Sequence, residues 1–221
     1  MLKAYYQITP DYKCERTMVI GENFVWAHLA KAGGNSTLTM FQIIERLIEY
    51  FDPIDSHKKH LSFKQRIEMG DNLNGKDRKL NIRRLPSWIL SYVNFQKTTY
   101  GVPINNKLYK GIVNTIDPKS VNSQNPEIHE SHVDETLIYY EYSKVNHWLR
   151  VENLADDFIQ TVSIFTEVSE NDISKIHGVR ENVNPNYNKS LEDNFTLEEL
   201  GRLYKNSPIW CRLEKNIWKP N

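Results

Sequence analysis

A pair of glycines between an apolar run and a helical pattern constrains this chain more than any other feature of the sequence. The run Phe-Val-Trp-Ala at residues 24–27 has the length and apolar character of a buried strand. Gly33 and Gly34 follow in a short loop. The apolar residues behind the loop recur at helical spacing and are Leu38, Phe41, Ile44, Leu47, Ile48 and Phe51. Strand, glycine-rich loop and helix in this order are typical of the phosphate-binding opening of an α/β fold.

The alternation of strands and helices continues along the chain. Residues 80–82 predict a short strand, and Pro86 suits the first turn of a helix behind it. Residues 147–151 predict another strand, which leads into a helix starting at residues 153–158, whereas residues 137–140 fit either element. Such alternation favours a three-layer α/β/α fold with a central, mostly parallel sheet that helices cover on both faces.

The length of 221 residues predicts a single domain over residues 1–221. Residues 96–136 are polar and contain several prolines, which predicts a long loop or a partly helical insertion. We interpret this segment as a candidate acceptor-binding insertion. Near the end of the chain, Thr196 and Glu199 have the spacing of a capping box and predict the start of a helix.

Composition narrows the function classes. Lysine plus arginine equal aspartate plus glutamate at 28 each, which argues against nucleic-acid binding through bulk charge. The two cysteines, Cys14 and Cys211, exclude a disulfide framework and disfavour a structural zinc site. The first residues lack the apolar core of a signal peptide, and no apolar run approaches the ~20 residues that span a bilayer. These features predict a soluble, cytoplasmic protein.

The loop at residues 28–37 has the residue types that a phosphate site needs. Glycine lets the backbone bend and lets its N–H groups approach an anion, and a helix that begins just behind the loop adds further N–H groups. Lys31 adds a mobile positive charge, and Ser36 and Thr37 add hydroxyl donors. On composition alone, an ordinary glycine turn between strand and helix fits equally well.

The order of residues in this loop resembles the donor loop of sulfotransferases. A Walker loop has its lysine after the glycines, whereas here Lys31 precedes them. The sulfotransferase pattern is Pro-Lys-Thr/Ser-Gly/Ala-Gly-Thr/Ser-Ser/Thr, and this chain departs from it at Ala30, Ala32 and Asn35. The resemblance implies a P-loop-like sulfotransferase fold that binds 3′-phosphoadenosine 5′-phosphosulfate (PAPS). It assigns the 5′ phosphosulfate to Lys31, Gly33, Gly34, Asn35, Ser36 and Thr37.

A second segment, residues 83–91, resembles the 3′-phosphate motif of the same family. That motif has arginine, then Asp or Asn, then proline, with a serine eight residues behind the arginine. Arg83 and Ser91 have this separation, but Pro86 is displaced by one position, so Arg84 competes with Arg83. Residues 148–154 resemble a late strand-to-helix step of the family. The resemblance spans roughly residues 22–210, and residues 96–136 match none of its motifs.

The family's reaction transfers a sulfuryl group in line from PAPS to an acceptor hydroxyl, here expected on a carbohydrate. Lys31 would stabilise the leaving phosphate, and no metal is expected. Residues 60–63, His-Leu-Ser-Phe, resemble the segment that carries the base in uronyl 2-O-sulfotransferases, which makes His60 the candidate base. His57 is the alternative base in the same segment, whereas His129 and His132 lie in the segment 96–136 and are alternatives that would serve the acceptor. Lys189, in a late turn-rich segment, is the candidate that closes over the donor.

Two other functions remain open at this point. A nucleotide-dependent kinase-like enzyme of the same broad fold would need ATP and magnesium, and the order of residues in the Lys31 loop argues against it. A non-catalytic module that binds a nucleotide or a sulfated ligand is compatible with the departures at Ala30, Ala32 and Asn35. Neither the acceptor nor the oligomeric state follows from the sequence.

Overall fold

The computed structural model describes residues 18–52, 61–100, 132–179 and 189–219. The predictions at His57, His60 and His129 lie outside the described residues, as does most of the segment 96–136. Within the described part of the chain, no helix is long and apolar enough to cross a membrane.

In the described part of the chain, five strands form one mixed sheet in the order β3-β1-β2-β4-β5. They are β1 (Met18–Gly21), β2 (Phe24–Ala27), β3 (Ile48–Phe51), β4 (Asp77–Ile82) and β5 (His147–Arg150). Strands β2, β4 and β5 are parallel neighbours, whereas β1 pairs antiparallel with both β2 and β3. The predicted α/β fold is therefore confirmed, but the sheet is mixed rather than mostly parallel. The physical reason is the two-residue connection at Glu22 and Asn23, which is too short for a crossover and permits only an antiparallel hairpin.

Helices of the described chain follow the strands. They are α1 (Gly34–Ile43), α2 (Phe63–Glu68), α3 (Leu85–Tyr100), α4 (His132–Tyr139), α5 (Leu154–Val162), α6 (Glu170–Gly178), α7 (Leu191–Asn194), α8 (Leu197–Asn206) and α9 (Pro208–Ile217). The capping box predicted at Thr196 is present at the start of α8. The ambiguous residues 137–140 belong to the end of α4 and the turn behind it.

The helical pattern predicted to run from Leu38 to Phe51 is wrong in its second half. Helix α1 ends at Ile43, a short 3-10 turn follows, and β3 begins at Ile48. Ile48 and Phe51 have side chains that favour extended structure, and β3 pairs with the free side of β1. The gain from strand pairing therefore outweighs the local helical spacing.

Helices cover the sheet on both faces. Successive residues of β2 point to opposite sides, so Val25 and Ala27 belong to one core cluster while Phe24 and Trp26 belong to the other. The first cluster includes residues of α3, α4, α8 and α9, and the second includes residues of α1, α5 and α6. Because β2 and β4 are parallel neighbours, the loops behind them emerge at the same edge of the sheet. These loops carry the Lys31 and Arg83 segments.

Candidate anion-binding site

The loop behind β2 has an unusual backbone. Lys31 has φ 64° and Gly33 has φ 73°, so both adopt the left-handed conformation. For a residue with a side chain this conformation costs roughly 1–2 kcal/mol, so Lys31 is held there by its surroundings. At Gly33 the conformation suits glycine, and an added Cβ would also lie 3.3 Å from a methyl carbon of Leu154. Gly33 is therefore required both for the turn and for close packing against the start of α5.

Gly34 is required because the His28 ring lies against its backbone. A Cβ at Gly34 would come within 2.0 Å of His28 Nε2, so any other residue would displace the ring. His28 is buried, its ring stacks on Trp26, and its carbonyl oxygen accepts a hydrogen bond of 2.8 Å from the Tyr140 hydroxyl. His28 thus packs against the loop at Gly34 and stabilises its conformation.

Helix α1 begins directly behind this turn, and its first residue is Gly34. Gly33 occupies the N-cap position and, being glycine, has no side chain that could cap the helix. No acidic residue lies in the first turn. The N-terminal end of this ten-residue helix carries a partial positive charge and N–H groups that can bind an anion. Asn35 and Ser36, two of the predicted donor-binding residues, are half-buried in this first turn.

A hydrogen-bond network behind the loop is centred on Asn81, which the sequence analysis did not select. Its Oδ1 accepts from Trp26 Nε1 at 2.7 Å, and its Nδ2 donates at 2.7 Å to the Ala32 carbonyl oxygen and at 2.7 Å to Thr37 Oγ1. The Thr37 hydroxyl also donates to the Gly33 carbonyl oxygen at 3.2 Å and is fully buried. In this conformation Thr37 therefore braces the loop, and its hydroxyl is already engaged within the protein. In the sequence, Asn81 is an amide inside an apolar strand. Buried polar groups need hydrogen-bond partners, so this amide was the feature that could have revealed the network.

Two tryptophans tie the loops behind β2 and β4 to the helices of the first core cluster. Trp88 Nε1 donates to the Ala30 carbonyl oxygen at 2.9 Å, and Trp210 Nε1 donates to the Arg83 carbonyl oxygen at 3.1 Å. The two indoles also contact each other, with ring centroids 5.2 Å apart. Helices α3 and α9 thus hold the two cationic segments in a common position.

The charges of Lys31 and Arg83 lie close enough to influence each other. Burial, together with the positive charge of Arg83, lowers the pKa of Lys31 to about 8. Lys31 Nζ lies 4.0 Å from the centre of the Phe95 ring, and no carboxylate within the described ranges pairs with Lys31 or Arg83. Two half-buried cations without a carboxylate partner form a site that favours an anion.

The structure distinguishes Arg83 from Arg84. The exposed Arg84 points its guanidinium to α9, where it lies 4.0 Å from a Glu214 carboxylate oxygen and 5.1 Å from the Trp218 ring centre. Arg83 is half-buried, and its charge acts on Lys31. Of the two arginines, Arg83 is therefore the one that belongs to the Lys31 site.

Ser91 lies on the helical face that contacts the loop. It is three residues behind Trp88 and four residues before Phe95, and both of these side chains contact the segment Ala30–Lys31. Residues at these spacings share one side of a helix. This spacing places Ser91 on the same face of α3 as Trp88 and Phe95.

The remaining predicted residues are placed as follows. Lys189 is exposed immediately before Ser190, whose hydroxyl caps α7. The strand-to-helix step predicted at residues 148–154 is present as β5, a 3-10 turn and the start of α5. His132 begins α4. In the described ranges, no group of three or more His, Cys, Asp or Glu residues is arranged to hold a metal ion.

The assembled site is a left-handed glycine loop, a helix N-terminus with a glycine N-cap, and two cations at the carboxyl ends of adjacent parallel strands that pair with no carboxylate of the described residues. Ligands of open α/β sheets bind at this edge. Comparison with protein-family models, with curated proteins and with solved structures found no match to this chain.

Proposed function

We propose that this chain binds PAPS at the Lys31 loop and transfers its sulfuryl group to a hydroxyl of a carbohydrate. The observation that carries the proposal is the proximity of two positive charges, those of Lys31 and Arg83. These cations have no carboxylate partner in the described chain and lie at the ends of β2 and β4, next to the N-terminus of α1. A donor with phosphate groups at both its 5′ and 3′ positions fits two separate cationic anchors.

In this proposal Lys31, Gly33, Gly34, Asn35 and Ser36 bind the 5′ phosphosulfate. Lys31 Nζ lies near the bridging oxygen and stabilises the negative charge that develops as the bond between sulfur and that oxygen breaks. Its pKa of about 8 leaves Lys31 mostly protonated at neutral pH, and a bound anion would raise that pKa back toward its ordinary value. Thr37 acts indirectly, because its hydroxyl bonds to Gly33 and Asn81.

Arg83 and Ser91 bind the 3′ phosphate. A guanidinium presents several N–H donors in a planar fork that matches phosphate oxygens, and the Ser91 hydroxyl adds a further donor. Trp210 fixes the backbone of Arg83, so the position of the guanidinium depends on α9 as well as on β4. Lys189 supplies an additional cation to the donor.

His60 accepts the proton of the acceptor hydroxyl. As the acceptor oxygen bonds to sulfur, its proton passes to the imidazole, and the 5′ phosphate leaves as adenosine 3′,5′-bisphosphate. A base at neutral pH contributes on the order of 10²–10⁴-fold. This assignment rests on the His-Leu-Ser-Phe pattern at residues 60–63.

The first test is a calorimetric titration with adenosine 3′,5′-bisphosphate, compared with ATP plus magnesium. We expect the bisphosphate to bind and ATP to bind more weakly. Tighter binding of ATP with magnesium would contradict the proposal and support the kinase-like alternative. Release of the bisphosphate from PAPS in the presence of saccharides then tests transfer, and binding without any turnover would instead support a binding module.

The second test concerns the base. His60→Ala should leave the affinity for the bisphosphate unchanged, remove most turnover and abolish the acidic limb of the pH–rate profile. His57→Ala is the matched control, since it removes a histidine from the same segment. Loss of the acidic limb in the control alone would assign the base to His57.

A further inference from the structure

The carbonyl oxygens of the Lys31 loop are bound on the side of the loop that faces the protein interior. Buried side chains donate to them, and these come from α1, β4, α3 and the turn behind α4. The pairs are Tyr140 Oη with His28 at 2.8 Å, Trp88 Nε1 with Ala30 at 2.9 Å, Asn81 Nδ2 with Ala32 at 2.7 Å and Thr37 Oγ1 with Gly33 at 3.2 Å.

This arrangement has an electrostatic consequence for an anion. A carbonyl oxygen carries a partial negative charge and repels an anion, whereas a peptide N–H attracts one. In a trans peptide the C=O and N–H bonds point in opposite directions, and no cis peptide occurs in the described chain. The bond from Asn81 to the Ala32 carbonyl oxygen therefore directs the N–H of Gly33 away from Asn81 and out of the interior.

The neighbours of Asn81 fix its amide in the orientation that this bond requires. The indole N–H of Trp26 can only donate, so the amide atom 2.7 Å from it is the oxygen. The Ala32 carbonyl can only accept, so the amide group facing it is NH₂. An ionised carboxylate could serve Trp26 but not Ala32, and an aliphatic side chain could serve neither. Because Asn81 is fully buried, it can act on a ligand only through the loop.

The same amide controls the Thr37 hydroxyl. Asn81 Nδ2 donates to Thr37 Oγ1 at 2.7 Å, which leaves the proton of that hydroxyl for the Gly33 carbonyl oxygen. A carboxylate at position 81 would instead accept that proton. Exchange of the amide for a carboxylate would therefore release the Ala32 carbonyl oxygen, weaken the hold on that of Gly33 and place a negative charge behind both.

We propose that Asn81 and Tyr140 are positioning residues of the Lys31 loop. They hold the Ala32 and His28 carbonyl oxygens inward, so that the N–H groups of the loop face a phosphate or sulfate group. This inference rests on the proposed function in one respect, since it takes the Lys31 loop as the anion site. It does not depend on the rest of the donor, because the contacts lie behind the loop, so an anion without adenosine tests it separately.

Calorimetric titrations of the full chain with adenosine 3′,5′-bisphosphate and with inorganic pyrophosphate test the role of Asn81. At pH 8.5, Asn81→Asp should bind both ligands at least about tenfold more weakly than the native chain, because an ionised carboxyl cannot donate to Ala32 and repels the anion. At pH 5.5 a protonated carboxyl is neutral and can donate again, so the difference should shrink to about threefold. A loss of affinity caused only by a weakened fold would not recover on acidification.

The variant and the native chain are compared at the same pH, because Lys31 and the ligands also titrate in this range. The matched control is Asn146→Asp, which makes the same exchange at an exposed position where the side-chain oxygen accepts from the backbone N–H of Arg78. The control should bind both ligands as the native chain does at both pH values.

A second variant, Tyr140→Phe, removes one hydroxyl and keeps the buried ring. It should weaken both ligands about threefold, because the His28 carbonyl oxygen loses its donor. This variant tests the inference even if Asn81→Asp does not fold.

The outcomes separate this inference from the proposed function. Equal affinity of Asn81→Asp and the native chain at pH 8.5, or the same loss at both pH values, overturns the role of Asn81, and unchanged affinity in Tyr140→Phe overturns that of Tyr140. If pyrophosphate shows the expected differences while the bisphosphate does not bind the native chain, the positioning role stands and transfer from PAPS fails. If the native chain binds neither ligand, the loop is not an anion site and both hypotheses fail.

Discussion

Two lysines of this chain share a lowered pKa but occupy opposite kinds of surroundings. Burial lowers the pKa of Lys31 to about 8 and that of Lys79 to about 8, and each ammonium lies over a phenylalanine ring. Lys31 lies in a left-handed loop beside the start of α1, where Arg83 depresses its pKa further. Lys79 lies inside β4, fully buried, while Asp77 acts in the opposite direction.

The contrast shows that a displaced pKa does not by itself mark a functional site. The Nζ of Lys79 lies 4.5 Å from the centre of the Phe165 ring and has no hydrogen-bond partner among the described residues. Lys79 is fully buried between this ring and that of Phe24. Lys31 is only half-buried, and a second cation and the N-terminus of α1 lie beside it. Burial lowers the pKa of both lysines, but only at Lys31 would a bound anion stabilise the surrounding positive charges.

Both shifts have the same effect on stability. A lysine with a lowered pKa in the folded state holds fewer protons than the unfolded chain between pH 8 and the ordinary value of 10.5. Stability therefore rises with pH through that window and is lowest below it, where both amines are charged in either state.

The largest expected difference between the two lysines is in turnover. Lys31→Ala should lower kcat by about 10²–10³-fold, because it removes charge stabilisation of the leaving phosphate, while the affinity for adenosine 3′,5′-bisphosphate falls less. Lys79→Met should leave kcat unchanged. Sulfuryl-transfer assays on both variants check this, and wild-type activity in Lys31→Ala would falsify the assignment of the loop.

The next effect concerns the arginine beside Lys31. Arg83→Ala should weaken adenosine 3′,5′-bisphosphate by about one to two decades, since a charge-assisted contact contributes about 1.5–3 kcal/mol. It should hardly affect adenosine 5′-phosphate, which lacks the 3′ group. Arg84→Ala is the control, because Arg84 contacts Glu214 and Trp218. If calorimetry shows the selective loss in Arg84→Ala instead, the 3′-phosphate site belongs to Arg84.

For the free energy of unfolding, the informative lysine is Lys79 rather than Lys31. Lys79→Met removes a buried amine that has no hydrogen-bond partner in the described part of the chain and retains an unbranched side chain of similar size. It should therefore raise the free energy of unfolding at pH 7 by about 1–2 kcal/mol. The gain should shrink as the pH rises above 8, where the native amine is neutral. Urea unfolding at pH 7 and pH 9.5 measures both effects. Lower stability of Lys79→Met at pH 7 would mean that its ammonium has a compensating partner.

The smallest expected effect is the pH dependence of donor binding. A bound phosphate raises the pKa of Lys31, so above pH 8 binding requires proton uptake, and the affinity should fall by up to about tenfold per pH unit. Below pH 7, where Lys31 is already protonated, the affinity for adenosine 3′,5′-bisphosphate should depend little on this group. Calorimetric titrations at pH 8.5 in buffers with different ionisation enthalpies measure how many protons are taken up when the bisphosphate binds. Lys31→Met should abolish the uptake, whereas Lys79→Met should retain it.

Much of the site was predictable because its parts are local in sequence. The apolar run before the loop, the glycines and the apolar spacing behind them lie within residues 24–43, and the structure shows β2, the turn and α1 there. Arg83 and Ser91 were likewise predicted from their separation. The charge of Arg83 acts on Lys31, and Ser91 shares a helix face with Trp88, which bonds to Ala30. Their roles in donor binding remain predictions.

The residues that sequence reasoning missed act across long separations. Asn81 joins the loop to Trp26 and Thr37, and Trp210 holds Arg83 from a position 127 residues further along the chain. A local pattern carries no information about such contacts, because they depend on which helix covers which face of the sheet.

The sequence by itself determined the local chemistry of this protein: a strand, a glycine turn and a helix that place a lysine at a helix N-terminus, and an arginine behind a second strand. Only the tertiary structure decided that the two strands are parallel neighbours, that Arg83 rather than Arg84 lies by Lys31, and that Lys79 is sealed between aromatic rings. The physical reason is that backbone preferences act over a few residues. Burial and charge proximity, which set the pKa of both lysines, arise only when distant segments pack together.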